Sequence, residues 1–235
     1  MVDKLNLKFR HILMTRFNII REDQQTNRGI PDLNWMKHRI SLFDKFCYPS
    51  LVAQTDQNFE WFVFFNDKTD RSIMDKYSRI KPVFISGGEK IEWETYYDIL
   101  KNTKEKWLIT SRLDTDDGLN INYMKEIHQR FKERDEIIDF NNGVNFNPKK
   151  KVTGLCTKLK ISGFATAIEK TSNNPKSCYD SVGHTRLGDI FKTVTKINNV
   201  EPMWFRSIHE ENLSKAKMRG KPIKINSKQL FNINV

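Results

Sequence analysis

The sequence predicts an α/β fold in which a mostly parallel central sheet carries flanking helices and a smaller mixed β region fills the C-terminal half. Three observations predict it. Apolar strand-like runs alternate with helix-period segments between residues 9 and 134. Several of those runs, Phe59 to Phe65 above all, are too apolar to alternate, as strands buried on both faces are. Beyond Ile137 the rhythm breaks into short strand-like pieces separated by Asn-Gly and Asn-Pro turns.

Phe9 to Phe17 reads as the first strand, with Thr15-Arg16-Phe17-Asn18 forming a loop at its carboxyl end, where open α/β sheets bind ligands. Asp32 to Phe46 is helical: Asp32 or Asn34 can cap it, and Trp35, Ile40, Phe43 and Phe46 repeat near one face. Pro49 begins a new turn of chain, Leu51 to Gln54 extends as a short helix, and Phe59 to Phe65 is the second strand. A short helix around Ser72 to Ser78 leads to strand Val83 to Ile85 and a Gly87-Gly88 turn. Glu92 to Asn102 is a helix, Lys106 to Arg112 a strand, and Ile121 to Arg134 a helix with Met124, Ile127, His128 and Phe131 on one face. Short strands are expected at Ile137 to Phe140, Val144 to Phe146, Val152 to Leu159 and Phe164 to Ile168. Without an internal repeat or low-complexity linker, residues 1–235 read as one domain.

Composition sets limits on function. A hydrophobic content of 38% and an aromatic content of 11% give a folded globule. No apolar run reaches 18 residues and the N-terminus lacks a signal-peptide core, so a soluble cytoplasmic protein is expected, in the host cytoplasm if the chain is viral. Cys47, Cys156 and Cys178 are far apart and read as reduced thiols. Zinc chemistry and a phosphate-binding P-loop lack their motifs. Lys and Arg outnumber Asp and Glu by 40 to 29, a formal charge of +11 that attracts polyanions. The surplus gathers at Lys149-Lys150-Lys151, at Lys158 and Lys160, and from Lys215 to Lys228, where Lys215, Lys217, Arg219 and Lys221 form a candidate polyanion or acceptor surface.

The strand Lys106 to Arg112 empties into Asp114, Asp116 and Asp117 just ahead of Gly118. Three carboxylates so close repel one another and gain nothing from packing, so a hard divalent cation is their natural companion. Asp114 and Asp116 share a face of extended chain, and Asp117 enters the turn that Gly118 frees. Carboxylate ligands suit Mg²⁺ or Mn²⁺, whose shell substrate phosphates commonly complete. The plainer reading is an acidic turn after a strand; the apolar lead-in and the third Asp weigh against it.

These residues, together with His11-Ile12-Leu13-Met14-Thr15-Arg16-Phe17-Asn18, Trp35 to Phe46, Cys47 to Thr55, Phe59-Glu60-Trp61 and Ser111 to Asp117, resemble the putative rhamnosyltransferase family. The likeness is strongest over residues 9 to 120, with a weaker block around Trp204 to Asn212. It implies a GT-A-like, Rossmann-like glycosyltransferase, with residues 1–120 as the donor-nucleotide half and 121–235 as the acceptor half ending in a basic tail. It further implies a nucleotide-diphosphate-sugar donor with Mn²⁺ or Mg²⁺ as cofactor, Asp116 on ribose or metal, Asp117 on metal, Asp114 in support, and His209 completing the metal shell unless it is a surface histidine. Thr15, Arg16 and Asn18 are candidate donor contacts, Arg16 as a phosphate clamp or base-stacking group. Arg39 either reaches the donor or sits on the surface, and Arg112 is a donor contact or, preferably, a counter-charge to the carboxylates. The catalytic base is sought among Asp180, placed first, Glu169, His184 and Asp189, because the block Cys178 to Asp189 falls on the expected acceptor side.

The leading function is therefore sugar transfer to an acceptor hydroxyl. The charge favours a hydroxymethylated base in viral DNA as acceptor; the family likeness favours a surface polysaccharide or lipid-linked glycan. Nucleotidyl or phosphoryl transfer is a further alternative, since it too uses clustered aspartates. A non-enzymatic nucleic-acid-binding module would leave the carboxylates unexplained.

Overall fold

The computed structural model describes residues 8–19, 33–86, 89–157, 160–179, 183–198, 201–209, 218 and 220–235. The first half alternates strand and helix as expected. Strands β1 (Phe9–Arg16), β2 (Glu60–Asn66), β3 (Lys81–Ile85) and β4 (Trp107–Arg112) are connected by helical segments. Of these, α1 (Leu33–Leu42) runs through a π-helical turn at Phe43–Cys47 into α2 (Tyr48–Val52), and α3 (Glu89–Lys101) precedes β4. The π turn, in which the Tyr48 amide donates to the Phe43 carbonyl, buries Phe43, Phe46 and Cys47 together. Pro49 follows in the first turn of α2, where its missing N–H costs little.

The later elements are β5 (Gly118–Leu119), α4 (Tyr123–Gln129), β6 (Glu136–Phe140), β7 (Gly143–Asn147), β8 (Val152–Cys156), β9 (Thr166–Lys170), α5 (Leu187–Ile190), β10 (Val194–Ile197), β11 (Trp204–Ser207), β12 (Lys221–Pro222) and α6 (Ser227–Phe231). Among the described residues the main sheet has the order β10-β6-β9-β4-β1-β2-β3. All its neighbours pair in parallel except β9, which lies antiparallel between β4 and β6. A second, mixed sheet has the order β12-β8-β7-β11-β5. The expected α/β class, a Rossmann-like mostly parallel sheet with a mixed region after it, is the observed one.

Burial follows strand parity. Leu13, Phe17, Val63 and Phe65 pack with Phe43, Cys47, Tyr123 and Met124 on one face, while Ile12, Met14 and Phe64 pack with Tyr96, Leu100 and Tyr179 on the other. A third cluster, with Phe46, Phe146, Phe205, Phe231 and Ile233, lies between the second sheet and the end of the chain.

Three expectations change. The helix expected to reach Arg134 ends at Gln129, because Lys132-Glu133-Arg134-Asp135 offers no apolar face to bury. The strand expected to Leu159 ends at Cys156, with residues 158 and 159 outside the described set. The C-terminal stretch read as a basic tail is partly structural: β12 pairs with β8, and Phe231 and Ile233 are fully buried. Its lysines had masked the apolar residues Ile223, Ile225, Leu230, Phe231 and Ile233 between them.

Candidate functional site

The acidic segment occupies the passage between the two sheets. The β4 ladder continues to Leu113, whose amide donates to the Met14 carbonyl at 3.1 Å, and the chain then turns as the Asp117 amide donates to the Asp114 carbonyl at 3.2 Å. It enters β5 at once. A Cβ on Gly118 would lie 2.8 Å from Ile233 Cδ1 and 3.3 Å from the Phe46 carbonyl, so the crossing is as narrow as a glycine permits. β5 pairs antiparallel with β11, Gly118 opposite Phe205. Residues after Phe205 consequently run back along those before Gly118, which brings Ser207 and His209 to the aspartates from 90 or more positions away.

The resulting contacts are specific. The Ser207 amide donates to Asp117 Oδ1 at 3.0 Å, and His209 Nε2 lies 2.9 Å from Asp116 Oδ2. Arg39 of α1 approaches the same Asp116 oxygen at 3.5 Å, with its guanidinium over the Trp35 ring, and the His38 and His209 rings meet edge-on at 5.8 Å. Asp116 and Asp117 are each only 6% exposed, whereas the Asp114 side chain is 54% exposed. Burial opposes the Asp116 charge, but the His209 hydrogen bond and the Arg39 charge outweigh it and hold its pKa below the ordinary value. Asp117 goes the other way: burial, then repulsion from Asp116 and Asp114, push its pKa well up against the opposing pull of Arg206 and the Ser207 amide. Beneath them Cys47 is buried as a thiol, its pKa raised by burial and by the three aspartates.

Two carboxylates are donors of the kind Mn²⁺ or Mg²⁺ accepts, and an imidazole beside them suits Mn²⁺ better than the oxygen-preferring Mg²⁺. The buried hydroxyls of Thr115 and Ser207 beside them have no hydrogen-bond partner among the described residues. In the arrangement observed, Asp116 is engaged by His209 and Arg39, and among the described residues no three His, Cys, Asp or Glu side chains converge on one point.

The remaining sequence candidates separate into groups. Thr15 is fully buried and accepts from the Trp61 indole at 3.0 Å, and Asn18 ties the ends of β1 and β2 by donating to Thr69 Oγ1 and accepting from the Asn66 amide. Arg16 and Arg112 meet at the Tyr179 ring, on the opposite face of the sheet from Cys47. His184 feels the acidic segment: burial first and then Arg112 lower its pKa, Asp114 raises it, and Arg206 and Asp139 act more weakly. Glu169 lies elsewhere. It pairs in register with Leu108 at the start of β4, roughly 20 Å along the strand from Asp114 at ~3.3 Å per residue, and its carboxylate accepts from the Lys176 and Ser177 amides. Those bonds make it an anchor for the 172–177 loop. Asp189 is exposed and pairs with Arg186 at 2.9 Å, and Lys221 is exposed on β12. Asp180, Lys215, Lys217 and Arg219 lie outside the described residues.

Sequence reasoning passed over Arg206, Ser207 and Tyr179 as site residues. The first two fall inside the Trp204 to Asn212 block, but their relevance depends on the β5–β11 register, which no local pattern encodes. Tyr179 sat unremarked beside Asp180.

A family model described as "putative rhamnosyl transferase" matches residues 9–221. Among solved structures, S. aureus TarS 1–349 is 13% identical, with a TM-score of 0.49, over 86% of this chain and 60% of that one. A longer S. aureus TarS chain is 14% identical with a TM-score of 0.46, over 86% and 37%. The inositol-1-phosphate CTP transferase of T. maritima is 10% identical with a TM-score of 0.39, over 90% and 93%. The chain thus spans less than two thirds of either TarS chain. No curated protein matches it.

Proposed function

Because the chain belongs to the family of glycosyltransferases described as "putative rhamnosyl transferase", we propose that it transfers a sugar from a nucleotide-diphosphate donor to an acceptor hydroxyl, at the acidic segment between its two sheets. The observation that carries the reading is the buried Asp116–Asp117 pair at the carboxyl end of β4, approached by His209 from β11's extension. In open α/β sheets this edge is where ligands bind.

Asp116 and Asp117, with His209, would hold Mn²⁺ or Mg²⁺ only once Asp116 leaves its contacts with His209 and Arg39, since no three such side chains converge among the described residues as they stand. Such an ion, when bound, stabilises the negative charge that gathers on a departing diphosphate. The chain's own part is to supply the fixed carboxylates, to place Arg39 and Arg206 beside them, and to accept a proton. In the net reaction the acceptor oxygen bonds to the anomeric carbon and the carbon–oxygen bond to the diphosphate breaks. The nucleoside diphosphate leaves with that electron pair, and the hydroxyl proton passes to a base. Among the described base candidates, His184 is the one that feels the Asp114 charge, and its pKa, lowered first by burial, favours the neutral, proton-accepting form. Asp180, first on sequence grounds, remains its competitor.

The family description favours a glycan acceptor. The formal charge of +11, with exposed Lys149, Lys150, Lys151 and Lys221, favours hydroxymethylated DNA as a second reading. No described helix is long and apolar enough to cross a membrane. The deciding experiment measures nucleoside diphosphate release from a panel of nucleotide sugars, with Mn²⁺, Mg²⁺ or EDTA, and with or without hydroxymethylated duplex DNA. Metal-dependent release supports the transferase, and stimulation by DNA selects the DNA acceptor. Release without stimulation selects the glycan. No release from any donor overturns the reading.

A further inference from the structure

Arg112, at the end of β4, has a donor without a hydrogen-bond partner among the described residues. Its guanidinium carbon lies 4.8 Å from the centre of the Tyr179 ring, and the guanidinium carbon of Arg16, from the end of neighbouring β1, lies 4.8 Å from the same ring. Arg16 is well partnered: its Nε donates to the Tyr96 hydroxyl at 3.0 Å, and it pairs with the fully buried Glu92. Arg112 is not. Its ion-pair partner among the described residues, Asp114, is 3.6 Å away, beyond hydrogen-bond length, and more than half exposed. Arg112 Nε is buried without a hydrogen-bond partner among the described residues.

A guanidinium has five N–H donors in a planar fork and gives up hydrogen bonds to water when buried. Were Arg112 only a counter-charge for the aspartates, its fork would close on Asp114. It lies over Tyr179 instead, near a second guanidinium that repels it, and among the described residues Glu92 pairs closely with Arg16 while Arg112 has only the looser, exposed Asp114. The side chains of Arg16 and Arg112 keep 23% and 18% exposure, so the pair is reachable at the carboxyl edge of the sheet. A guanidinium with aromatic backing, a loosely held counter-ion and unspent donors suits a group with two or three coplanar or clustered anionic oxygens.

We propose that Arg112, supported by Arg16 and the Tyr179 ring, is a binding subsite for one phosphoryl or carboxylate group of a substrate, distinct from the Asp116–Asp117 pair. The inference rests on the glycosyl-transfer reading, which supplies two sources of that group: the donor's diphosphate, or an acidic substituent on the acceptor. The test uses inorganic phosphate as probe, in EDTA, followed by calorimetry and by the arginine Nε–H signals of the wild-type protein. Phosphate should shift the Arg112 signal. Arg112→Gln, and Arg112→Lys because a point charge lacks the fork, should weaken phosphate binding at least tenfold. Repeating the titration with saturating UDP, GDP, CDP and dTDP plus Mn²⁺ identifies the source: lost phosphate binding assigns the group to the donor, and retained binding assigns it to the acceptor. An Arg112 signal indifferent to phosphate overturns the proposal even if both variants fail to fold, as does unchanged affinity in folded Arg112→Gln. Phosphate binding requires no turnover, so its presence without any nucleoside diphosphate release would sink the transferase reading alone.

Discussion

Asp117 is the carboxylate whose surroundings most oppose its charge, being buried beside Asp116 and facing Asp114. Its retention costs stability, as functional groups commonly do. Asp117→Asn keeps an oxygen for the Ser207 amide and removes the repelled charge. The expected result is a thermal midpoint equal to or above that of wild type and donor turnover at least ~100-fold lower, a loss on the scale of a missing electrostatic stabiliser. A variant with full turnover would remove Asp117 from the chemistry, and a variant losing several degrees would show the charge to be structural. His184 makes a second residue-scale prediction. His184→Gln should lower kcat by about 10²–10⁴ if the imidazole takes the acceptor proton, with nucleoside diphosphate affinity little changed. Unaltered kcat would return the role to Asp180.

At the scale of elements, the site depends on β11 being drawn tightly against β7. Gly143 makes this possible: a Cβ there would fall 1.9 Å from Trp204 Cδ2 and within 2.3 Å of two more ring atoms. Trp204 cannot yield easily. It is 1% exposed, donates to the Phe140 carbonyl at 2.9 Å and stacks on Phe164 with ring centroids 4.9 Å apart. Gly143→Ala should therefore cost at least ~1–3 kcal/mol, the usual penalty of overpacking, and should lower turnover further by shifting Ser207 and His209 away from the aspartates. Denaturant unfolding and turnover measured together check this; an unaffected protein would mean that β11 has slack the packing does not suggest. The C-terminal segment has a similar supporting role, since Ile233 packs directly against Gly118 at the entrance to β5.

Across the whole molecule, acid sensitivity has an identifiable source. His11 on β1 is 2% exposed, with Nδ1 2.8 Å from His128 Nε2 and Nε2 2.9 Å from Ser111 Oγ, while His128 Nδ1 lies 2.7 Å from Asp56. Burial, and then the charge of His128, hold the His11 pKa well below its ordinary 6.5. As pH falls through 6.5 the unfolded chain takes up a proton that the folded one refuses, so stability is complete above that pH and declines below it, by at most about 1.4 kcal/mol per pH unit for one proton. Urea unfolding at pH 7.5 and 5.5 should show this loss, and His11→Gln should reduce it; equal stability of the wild type at both values would clear His11. The class of the fold was legible in local patterns: β1, β2 and β4 are apolar runs, and the helices between them repeat near 3.6 residues. So was the cluster at 114, 116 and 117, because like charges in so short a stretch are conspicuous without a structure. The insertion of β9 antiparallel between β4 and β6, the return of the basic C-terminal stretch into the core, and the removal of Glu169 to the far end of β4 were not. Local sequence records which face a residue prefers and where the chain turns. The pairing of strands distant along the chain, here β5 with β11 and β1 with β4, is decided by packing over the whole molecule, and that pairing places His209 on Asp116 and Arg16 beside Arg112.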